Sequence, residues 1–161
     1  MNSNLENLKG HNPYLEFLTF RLGGQSYGID IMKVQEIRAF EKTTRITKSE
    51  DFILGVVDLR GMIVPILDMR IKFGFNTADY DNETVTIVTM IGDQPMGLVV
   101  DAVSDVVRFT EEQIKATPDL GTFLPSDNII GLADAGEGMT ILLNLESLLN
   151  GKEISDIESC I

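Results

Sequence analysis

An internal repeat is the feature that most constrains the fold of this chain. Displacing the sequence by 69 residues superimposes two Gly-x-Gln-x-x-Gly patterns, at residues 23–28 and 92–97. In the same register Glu36 falls on Asp105, and Val34 falls on Val103. Two alternating aliphatic strands would match in their aliphatic residues by chance, but not in this spacing of glycine and glutamine. We interpret the chain as two copies of one β unit.

A second block of matches completes the repeat at a displacement of 76 residues. It superimposes residues 53–68 on 129–144, including Gly55 on Gly131. The two displacements differ by seven because the segment between blocks is seven residues longer in the second copy. A unit of roughly 65 residues buries little core on its own. We therefore expect the copies to pack around a shared interior, which leaves a groove between them for a ligand or a partner.

Hydrophobic periodicity predicts an all-β chain with short helices. Apolar residues alternate with polar ones over most of the chain, as expected of strands. Two hairpin turns are predicted, at Gly23-Gly24 and at Gly92-Asp93, because glycine adopts the positive φ of tight hairpin turns. Helical signals are few. They are a possible N-cap at Ser49, a capping box of Thr110 with Gln113, and residues 144–150.

The charge balance argues against polyanionic ligands. The chain has 25 acidic and 13 basic residues, for a formal net charge of −12. Nucleic acid and anionic membrane surfaces are bound by clustered Lys and Arg, so neither is an expected ligand. Residues 1–80 carry ten acids and ten bases, whereas residues 81–161 carry fifteen acids and three bases. Two copies of one fold therefore have different surfaces, as a molecule that holds two different partners would need.

The residue inventory offers little for catalysis. His11 and Cys160 are the single histidine and the single cysteine, and both lie in polar terminal stretches. A nucleophile-histidine pair and a zinc site both need several such residues held by the fold, so neither is expected, and no cofactor is implied. The first residues form no signal-peptide core, and apolar runs such as Thr84–Gly92 are too short to span a bilayer. We expect a cytoplasmic protein.

Arg60 is the candidate functional residue that stands out from its surroundings. It lies in Leu59-Arg60-Gly61, a predicted tight turn between two apolar strands. The repeat places Gly136 opposite it, so the fold itself does not require an arginine there. An arginine suits bidentate pairing with a carboxylate and is frequent at interface hot spots. We predict that Arg60 pairs with Glu36; the alternative is a turn arginine that points into solvent.

The segment Tyr27–Phe40 suggests a second feature near Glu36. Ile31, Val34 and Ile37 are three residues apart, as on one face of a short helical turn that leads into a strand. We expect Ile31 and Ile37 to pack in the core, and Val34 with Glu36 to form a small apolar patch with an acidic edge. Five methionines are also expected in the core: Met32, Met62, Met69, Met90 and Met96.

Two aspartates related by the repeat suggest an enzymatic alternative. Asp58 and Asp134 could be the paired carboxylates of an aspartate-dependent hydrolase. The residues that follow them, Leu59-Arg60 and Ala135-Gly136, do not match the small hydroxyl residue and glycine of aspartic proteases. Turn-capping is the better interpretation.

Four stretches together resemble the CheW family of bacterial chemotaxis coupling proteins. They are FRLGGQSYGIDIMKVQEI, GVVDLRGMIVPILDMRIKF, GLVVDAVSDVV and GMTILLNLESLL. The resemblance runs in order over roughly residues 15–150 and is highly specific. It implies two pseudo-repeated five-stranded SH3-like β-barrels, packed around a shared hydrophobic core, in an adaptor with no catalytic activity and no cofactor.

The same resemblance implies partners and sites. The partners would be the regulatory domain of the histidine kinase CheA and the cytoplasmic tip of methyl-accepting chemotaxis receptors, at receptor clusters on the inner face of the membrane. An alternative is an adaptor of this type in a different sensory pathway. The implied protein-binding positions are Val34, Glu36, Arg60, Val85 and Val106. The expected domain organisation is an N-terminal arm at 1–14, the CheW-like domain at 15–150 with repeat blocks at about 17–70 and 84–146, and a tail at 151–161.

Overall fold

A computed structural model describes residues 14–44, 51–75, 80–117, 126–136 and 138–149. Strands dominate these residues, as the periodicity predicts. The predicted cap at Ser49, the C-terminal tail and the N-terminal arm before Tyr14 lie outside the described residues. Tyr14 itself is the first residue of a strand.

The described residues form ten strands, two short α-helices and three 3₁₀ turns. The strands are β1 (Tyr14–Leu22), β2 (Gln25–Asp30), β3 (Val34–Ala39), β4 (Ile53–Leu59), β5 (Met62–Asp68), β6 (Val85–Ile91), β7 (Gln94–Val100), β8 (Ala102–Thr110), β9 (Ile129–Asp134) and β10 (Met139–Leu143). The helices are α1 (Met69–Lys72) and α2 (Leu145–Leu148), with 3₁₀ turns at Ile31–Lys33, Glu111–Gln113 and Ser126–Asn128.

Local sequence signals explain where these elements begin and end. Gly23 and Gly24 have φ of 56° and 82° in the β1–β2 turn, and Gly92 has φ of 61° in the β6–β7 turn, so both predicted hairpins are confirmed. The Gln113 side chain accepts a hydrogen bond from the Thr110 backbone N–H at 2.7 Å, which completes the predicted capping box.

The strands form two five-stranded sheets. One has the order β8-β1-β2-β10-β9, and the other has the order β3-β6-β7-β5-β4. The chain after β8 returns to the opposite edge of the first sheet, where Lys115 forms a bridge with Leu132 of β9. In the second sheet Thr44, which follows β3, forms a bridge with Val56 of β4. These bridges join the two edges of each sheet, and we call the closed sheets barrel 1 and barrel 2.

The two barrels cut across the two copies of the repeat. If each strand of barrel 1 is replaced by its equivalent in the other copy of the repeat, the strand order of barrel 2 results. Each barrel nevertheless combines two strands of one copy with three strands of the other. The copies therefore do not pack as separate units, which was the simplest expectation. Short connections are the reason: Asp101 alone joins β7 to β8, and one residue cannot reverse the chain into a hairpin.

The core lies mainly between the barrels, as predicted. Its largest cluster of buried side chains combines residues of both barrels. They include Phe20, Leu22 and Ile29 of barrel 1 and Leu67, Ile87 and Leu98 of barrel 2, all with no exposed surface. Each barrel also encloses a smaller apolar cluster of its own. The shared interface is thus part of the hydrophobic core rather than a contact between finished domains.

Three of the expected core residues are on the surface instead. Ile37 is 45% exposed, Met62 is 53% exposed, and Met32 is 85% exposed. The helical spacing that groups Ile31 with Ile37 ends at Val34, where β3 begins, so Ile37 follows strand alternation and faces outward. Ile31 packs against the shared core, and Met69 and Met96 are fully buried, as expected.

Candidate functional site

An ion pair between Glu36 and Arg60 connects the two edge strands of the sheet that forms barrel 2. Glu36 is on β3 and Arg60 follows β4, and these strands are opposite ends of the sheet order. The Arg60 guanidinium donates from Nη2 to Glu36 Oε1 at 3.1 Å and from Nη1 to Oε2 at 3.5 Å. The predicted pairing is therefore confirmed, in the two-point geometry that suits arginine and carboxylate.

The turn that carries Arg60 holds its backbone in an unusual conformation. Arg60 and Gly61 have φ of 53° and 86°, and among the described residues Arg60 is the one non-glycine with positive φ. Asp58 supports the turn, because its Oδ1 accepts a hydrogen bond from the Gly61 N–H at 2.8 Å. Positive φ at the first turn position usually selects Asn, Asp or Gly. Asn, Asp and Gly at this position could not form the two-point contact with Glu36 that the Arg60 guanidinium forms.

Further charges surround Glu36. Arg38 Nη1 lies 3.7 Å from Glu36 Oε1, and Arg38 Nη2 lies 3.6 Å from Glu41 Oε1. The Arg60 side chain is 73% exposed and that of Glu36 is 29% exposed, so water screens the pair and it adds about 0–1 kcal/mol to stability. The arrangement therefore presents a fixed pattern of charge at the surface more than it stabilises the fold.

The other predicted positions are distributed over both barrels. Val34 is half-buried at the start of β3, two residues before Glu36. Val85 is also half-buried and pairs with Ala39 at the far end of β3. Val106 lies on β8 of barrel 1 and is 44% exposed. The structure thus brings Glu36 and Arg60 into contact, keeps Val34 and Val85 on or beside β3, and places Val106 in the other barrel.

A buried charge network at the Asp101 connection was not anticipated from the sequence. Arg70, with a 6% exposed side chain, donates from Nε and Nη2 to the two carboxylate oxygens of Asp68, both at 3.1 Å. Its Nη1 donates to Asp101 Oδ1 at 3.2 Å. Asp101 Oδ2 accepts a hydrogen bond from the Gly23 N–H in barrel 1 at 2.9 Å. The network therefore joins the two barrels at one of their two covalent connections.

Tyr80 completes this network on the side of barrel 2. Its hydroxyl donates to Asp68 Oδ2 at 2.9 Å, and its ring stacks on Phe40 with centroids 4.2 Å apart. Burial, together with the hydrogen bond to Asp68, raises the pKa of Tyr80 to about 12. Burial acts to lower the pKa of Arg70, but Asp68 and then Asp101 outweigh it, so that pKa is raised and the guanidinium stays charged.

The repeat contains the signal that could have revealed the network. It places Asn144 opposite Asp68 and Glu146 opposite Arg70, so the first copy has a buried ion pair that the second lacks. Glu146 instead pairs with Lys33, at the other connection between the barrels. Both side chains of that pair are more than one third exposed. An ion pair thus links each connection to the helix of the other copy. At one connection Asp101 is the acid and Arg70 of α1 is the base, whereas at the other Lys33 is the base and Glu146 of α2 is the acid.

The paired aspartates occupy the roles expected of turn caps. Asp58 accepts from Gly61 as described, and Asp134 Oδ1 accepts from the Gly136 N–H at 2.8 Å. Within the described part of the chain, no group of three or more His, Cys, Asp or Glu side chains is arranged to hold a metal ion. No helix among the described residues is long and apolar enough to cross a membrane.

Comparison with known proteins gives matches over most of the chain. The profile of the CheW-like domain matches residues 16–153. The chemotaxis protein CheW of Klebsiella aerogenes is 46% identical over 152 residues, which cover 94% of this chain and 92% of that protein. The probable chemotaxis protein CheW of Rhizobium etli is 36% identical over 138 residues, covering 86% of this chain and 89% of that protein. The crystal structure of the scaffolding protein TtCheW from Thermoanaerobacter tengcongensis superimposes with a TM-score of 0.78 at 29% identity, covering 90% of this chain and 94% of that one.

Proposed function

The chain belongs to the CheW-like domain family, and from that premise we propose that it is a non-catalytic chemotaxis adaptor that couples receptors to a histidine kinase. Its partners are the regulatory domain of CheA and the cytoplasmic tip of methyl-accepting chemotaxis receptors. It acts in the cytoplasm, at receptor clusters on the inner face of the membrane. The observation that carries the proposal is the family match over residues 16–153, which includes both barrels.

The geometry of the Glu36–Arg60 pair supports a binding role for this region. The pair contributes little to stability, yet the turn holds Arg60 at positive φ, a conformation that costs a non-glycine residue of order 1 kcal/mol. The Arg60 side chain is 73% exposed, so the pair differs from a buried ion pair that serves the fold and is open to contact with a partner. We assign protein binding to Val34, Glu36, Arg60, Val85 and Val106.

Adaptor function follows from simultaneous contact with two partners. A protein that binds kinase and receptor at once makes the conformation of each depend on the other, typically by 1–3 kcal/mol of coupling free energy. Reversible signalling contacts have an apolar centre and a polar rim. Val34 with the charges around Glu36 has that character. The positions on barrel 2 and Val106 on barrel 1 give the molecule two separate surfaces to offer.

Reconstituted arrays test the proposal. Receptor cytoplasmic fragments, full-length CheA and this protein are combined, and receptor-dependent kinase activity is measured. We expect activation with the wild-type chain and loss of most activation with Arg60→Ala, which should stay folded by circular dichroism. Arg21→Ala is the matched control, since Arg21 also lies beside a hairpin turn, where it donates to the Gly24 carbonyl. Absence of activation by the wild-type chain would contradict the proposed function.

A pull-down separates the chemotaxis pathway from another sensory pathway. Tagged protein is recovered from its native cells under gentle conditions, and the bound kinase is identified by mass spectrometry. Recovery of CheA with chemotaxis receptors supports the proposal. Recovery of a different histidine kinase with its own receptors would assign the adaptor to another pathway.

A further inference from the structure

Two residues hold the β1–β2 turn of barrel 1 at the connection between the barrels. Asp101 Oδ2 accepts from the Gly23 N–H at 2.9 Å, and the Asp101 N–H donates to the Arg21 carbonyl at 3.1 Å. The Phe75 ring lies against the same turn, because a Cβ on Gly23 would lie 2.7 Å from Phe75 Cζ. A carboxylate, the backbone and an aromatic ring therefore fix the position of this turn together.

Both of these contacts lead back to Arg70 on α1, the helix that directly follows β5 of barrel 2. The Arg70 guanidinium donates to Asp101 Oδ1 at 3.2 Å, and the Arg70 carbonyl accepts from the Phe75 N–H at 2.9 Å. The guanidinium is itself held at two points by Asp68, which has no exposed surface and pairs with Val99 of β7. One arginine thus connects the β1–β2 turn of barrel 1 to the sheet of barrel 2.

The other connection between the barrels has no equivalent arrangement among the described residues. The repeat places Met32 opposite Asp101 and Gly92 opposite Gly23. Met32 has no carboxylate and is 85% exposed. A Cβ on Gly92 would meet nothing within 4 Å in the described part of the chain, whereas Phe75 covers Gly23. The barrels are therefore fixed to each other by a network at one connection and by a partly exposed ion pair at the other.

The network supplies a property that the shared core lacks. The hydrophobic effect has no direction, so burial of apolar surface brings the barrels together without selecting one angle between them. Hydrogen bonds to charged groups are short and directional. The Asp101 side chain is 34% exposed and that of Arg70 is 6% exposed, so protein shields these bonds from much of the water. Bonds of this kind select one orientation of barrel 1 relative to barrel 2.

We propose that Asp101, held by Arg70, is a positioning residue that fixes the orientation of the two barrels, and that coupling between the partners depends on this orientation. The second part rests on the proposed function, in which the protein-binding positions are distributed over both barrels. A partner on one barrel can bias a partner on the other only if the barrels do not turn independently, because a yielding connection would absorb the change. Asp101 therefore governs how strongly the partners are coupled and not how tightly either one binds.

Distances between the barrels test the first part of the proposal. Spin labels are attached through Asp93→Cys in the β6–β7 turn of barrel 2 and Glu112→Cys in the 3₁₀ turn after β8 of barrel 1, both exposed positions, in a Cys160→Ser background. Double electron–electron resonance then gives the distribution of distances between the labels. We expect Asp101→Ala to shift or broaden this distribution. Glu146→Gln, at the other connection, is the matched control and should leave it unchanged.

Phe75→Ala tests the same turn by an independent change. It removes the ring from Gly23 and leaves the hydrogen bonds of Asp101 in place, so it should alter the distance distribution less than Asp101→Ala does. Asp68 keeps its partner Arg70 in both variants, so neither leaves a buried carboxylate without a counter-charge, and both should fold. Thermal unfolding of each variant checks this expectation.

Binding and activation separate positioning from a merely structural role. Affinities of Asp101→Ala for the CheA regulatory domain and for a receptor cytoplasmic fragment, each measured alone, should stay within about twofold of wild type, because coupling is distinct from affinity for one partner. Receptor-dependent kinase activation should fall about fivefold or more, the lower end of typical coupling between sites. A variant that is simply unstable would lose both affinities together with activation. Glu146→Gln should retain both affinities and activation.

Four outcomes would decide against the inference or against the proposed function. An unchanged distance distribution in Asp101→Ala would overturn the inference, since the shared core alone would then set the orientation. A changed distribution with full kinase activation would also overturn it, because orientation would have no part in coupling. Loss of affinity for a single partner would assign Asp101 to a binding surface instead. Failure of the wild-type chain to activate the kinase would reject the proposed function, and the distance measurements would still decide whether Asp101 fixes the orientation.

Discussion

Arg70 and Asp101 form an ion pair across the point where the chain passes from barrel 2 to barrel 1, with Nη1 3.2 Å from Oδ1. The same guanidinium is bound at two points by Asp68, which has no exposed surface. The buried Arg70 guanidinium therefore neutralises Asp68 in the core and links it to Asp101, the connection between the barrels. The other connection relies on Lys33 and Glu146, which are partly exposed to water.

Replacing Arg70 with methionine should destabilise the protein strongly. The buried Asp68 would lose its counter-charge, and breaking one side of a buried pair typically costs 3–5 kcal/mol. The measurement is the free energy of unfolding in urea. Lys33→Met, at the exposed connection, is the control and should cost less than about 1 kcal/mol. Equal losses for the two variants would show that burial does not separate the two connections.

Replacing Arg60 with glycine should separate stability from function. Glycine adopts positive φ without strain, so relief at φ of 53° offsets the loss of an exposed ion pair. We expect the free energy of unfolding to stay within about 1 kcal/mol of wild type. Receptor-dependent kinase activation should nevertheless be lost to the same degree as in Arg60→Ala. Normal activation by the glycine variant would show that the guanidinium has no part in coupling.

Stability should fall at alkaline pH through Tyr80. Its pKa is about 12 in the fold and about 10 in the unfolded chain, so its contribution is complete below pH 10 and is lost as pH rises from 10 to 12. The free energy of unfolding is measured at about pH 9 and about pH 11 for wild type and Tyr80→Phe. The difference between the two proteins should shrink at the higher pH. Tyr27, whose pKa burial also raises, remains in both proteins and cancels from the comparison.

Adding a methyl group at Gly131 should disturb the closure of barrel 1. A Cβ there would lie 2.7 Å from the Lys115 carbonyl oxygen, next to the bridge between Lys115 and Leu132. Backbone cannot move aside cheaply, so Gly131→Ala should cost about 1–3 kcal/mol. Gly97→Ala is the comparison, because the three atoms nearest to its Cβ would all belong to the side chains of Ile66 and Thr86. Thermal unfolding should rank Gly131→Ala below Gly97→Ala, and the opposite order would contradict this explanation.

The sequence predicts the strands well because their signals are local. Alternation and turn glycines depend on a few neighbouring residues, and the hairpin at Gly23-Gly24 follows from them directly. The Glu36–Arg60 pair was also predictable, since the repeat isolates Arg60 as a residue that the fold does not need. The glycines of the repeated pattern gain a reason in the structure: a Cβ on Gly28 would lie 2.9 Å from Leu142.

Apart from the Glu36–Arg60 pair, features that depend on how distant segments meet were not predicted. The exchange of strands between barrels follows from the single residue Asp101 between β7 and β8, but no periodicity marks that residue as a connection. The network of Asp68, Arg70 and Tyr80 joins residues of an apolar-looking stretch to a loop. Helical spacing predicts Ile37 in the core. The side chain is exposed because β3 begins at Val34, before Ile37.

The position of barrel 2 within the chain has a consequence for the order of assembly during synthesis. All five strands of barrel 2 lie between residues 34 and 100, whereas barrel 1 combines β1 and β2 with β8, β9 and β10. Barrel 2 therefore has every strand it needs before β8 leaves the ribosome. The β1–β2 hairpin must wait, with the unpaired edge of β1 and the apolar face of both strands uncovered, until the last strands arrive. Until then the hairpin can pack against barrel 2. The core that they share already combines Phe20, Leu22 and Ile29 of the hairpin with residues of barrel 2, so it can begin to form before β8, β9 and β10 are made.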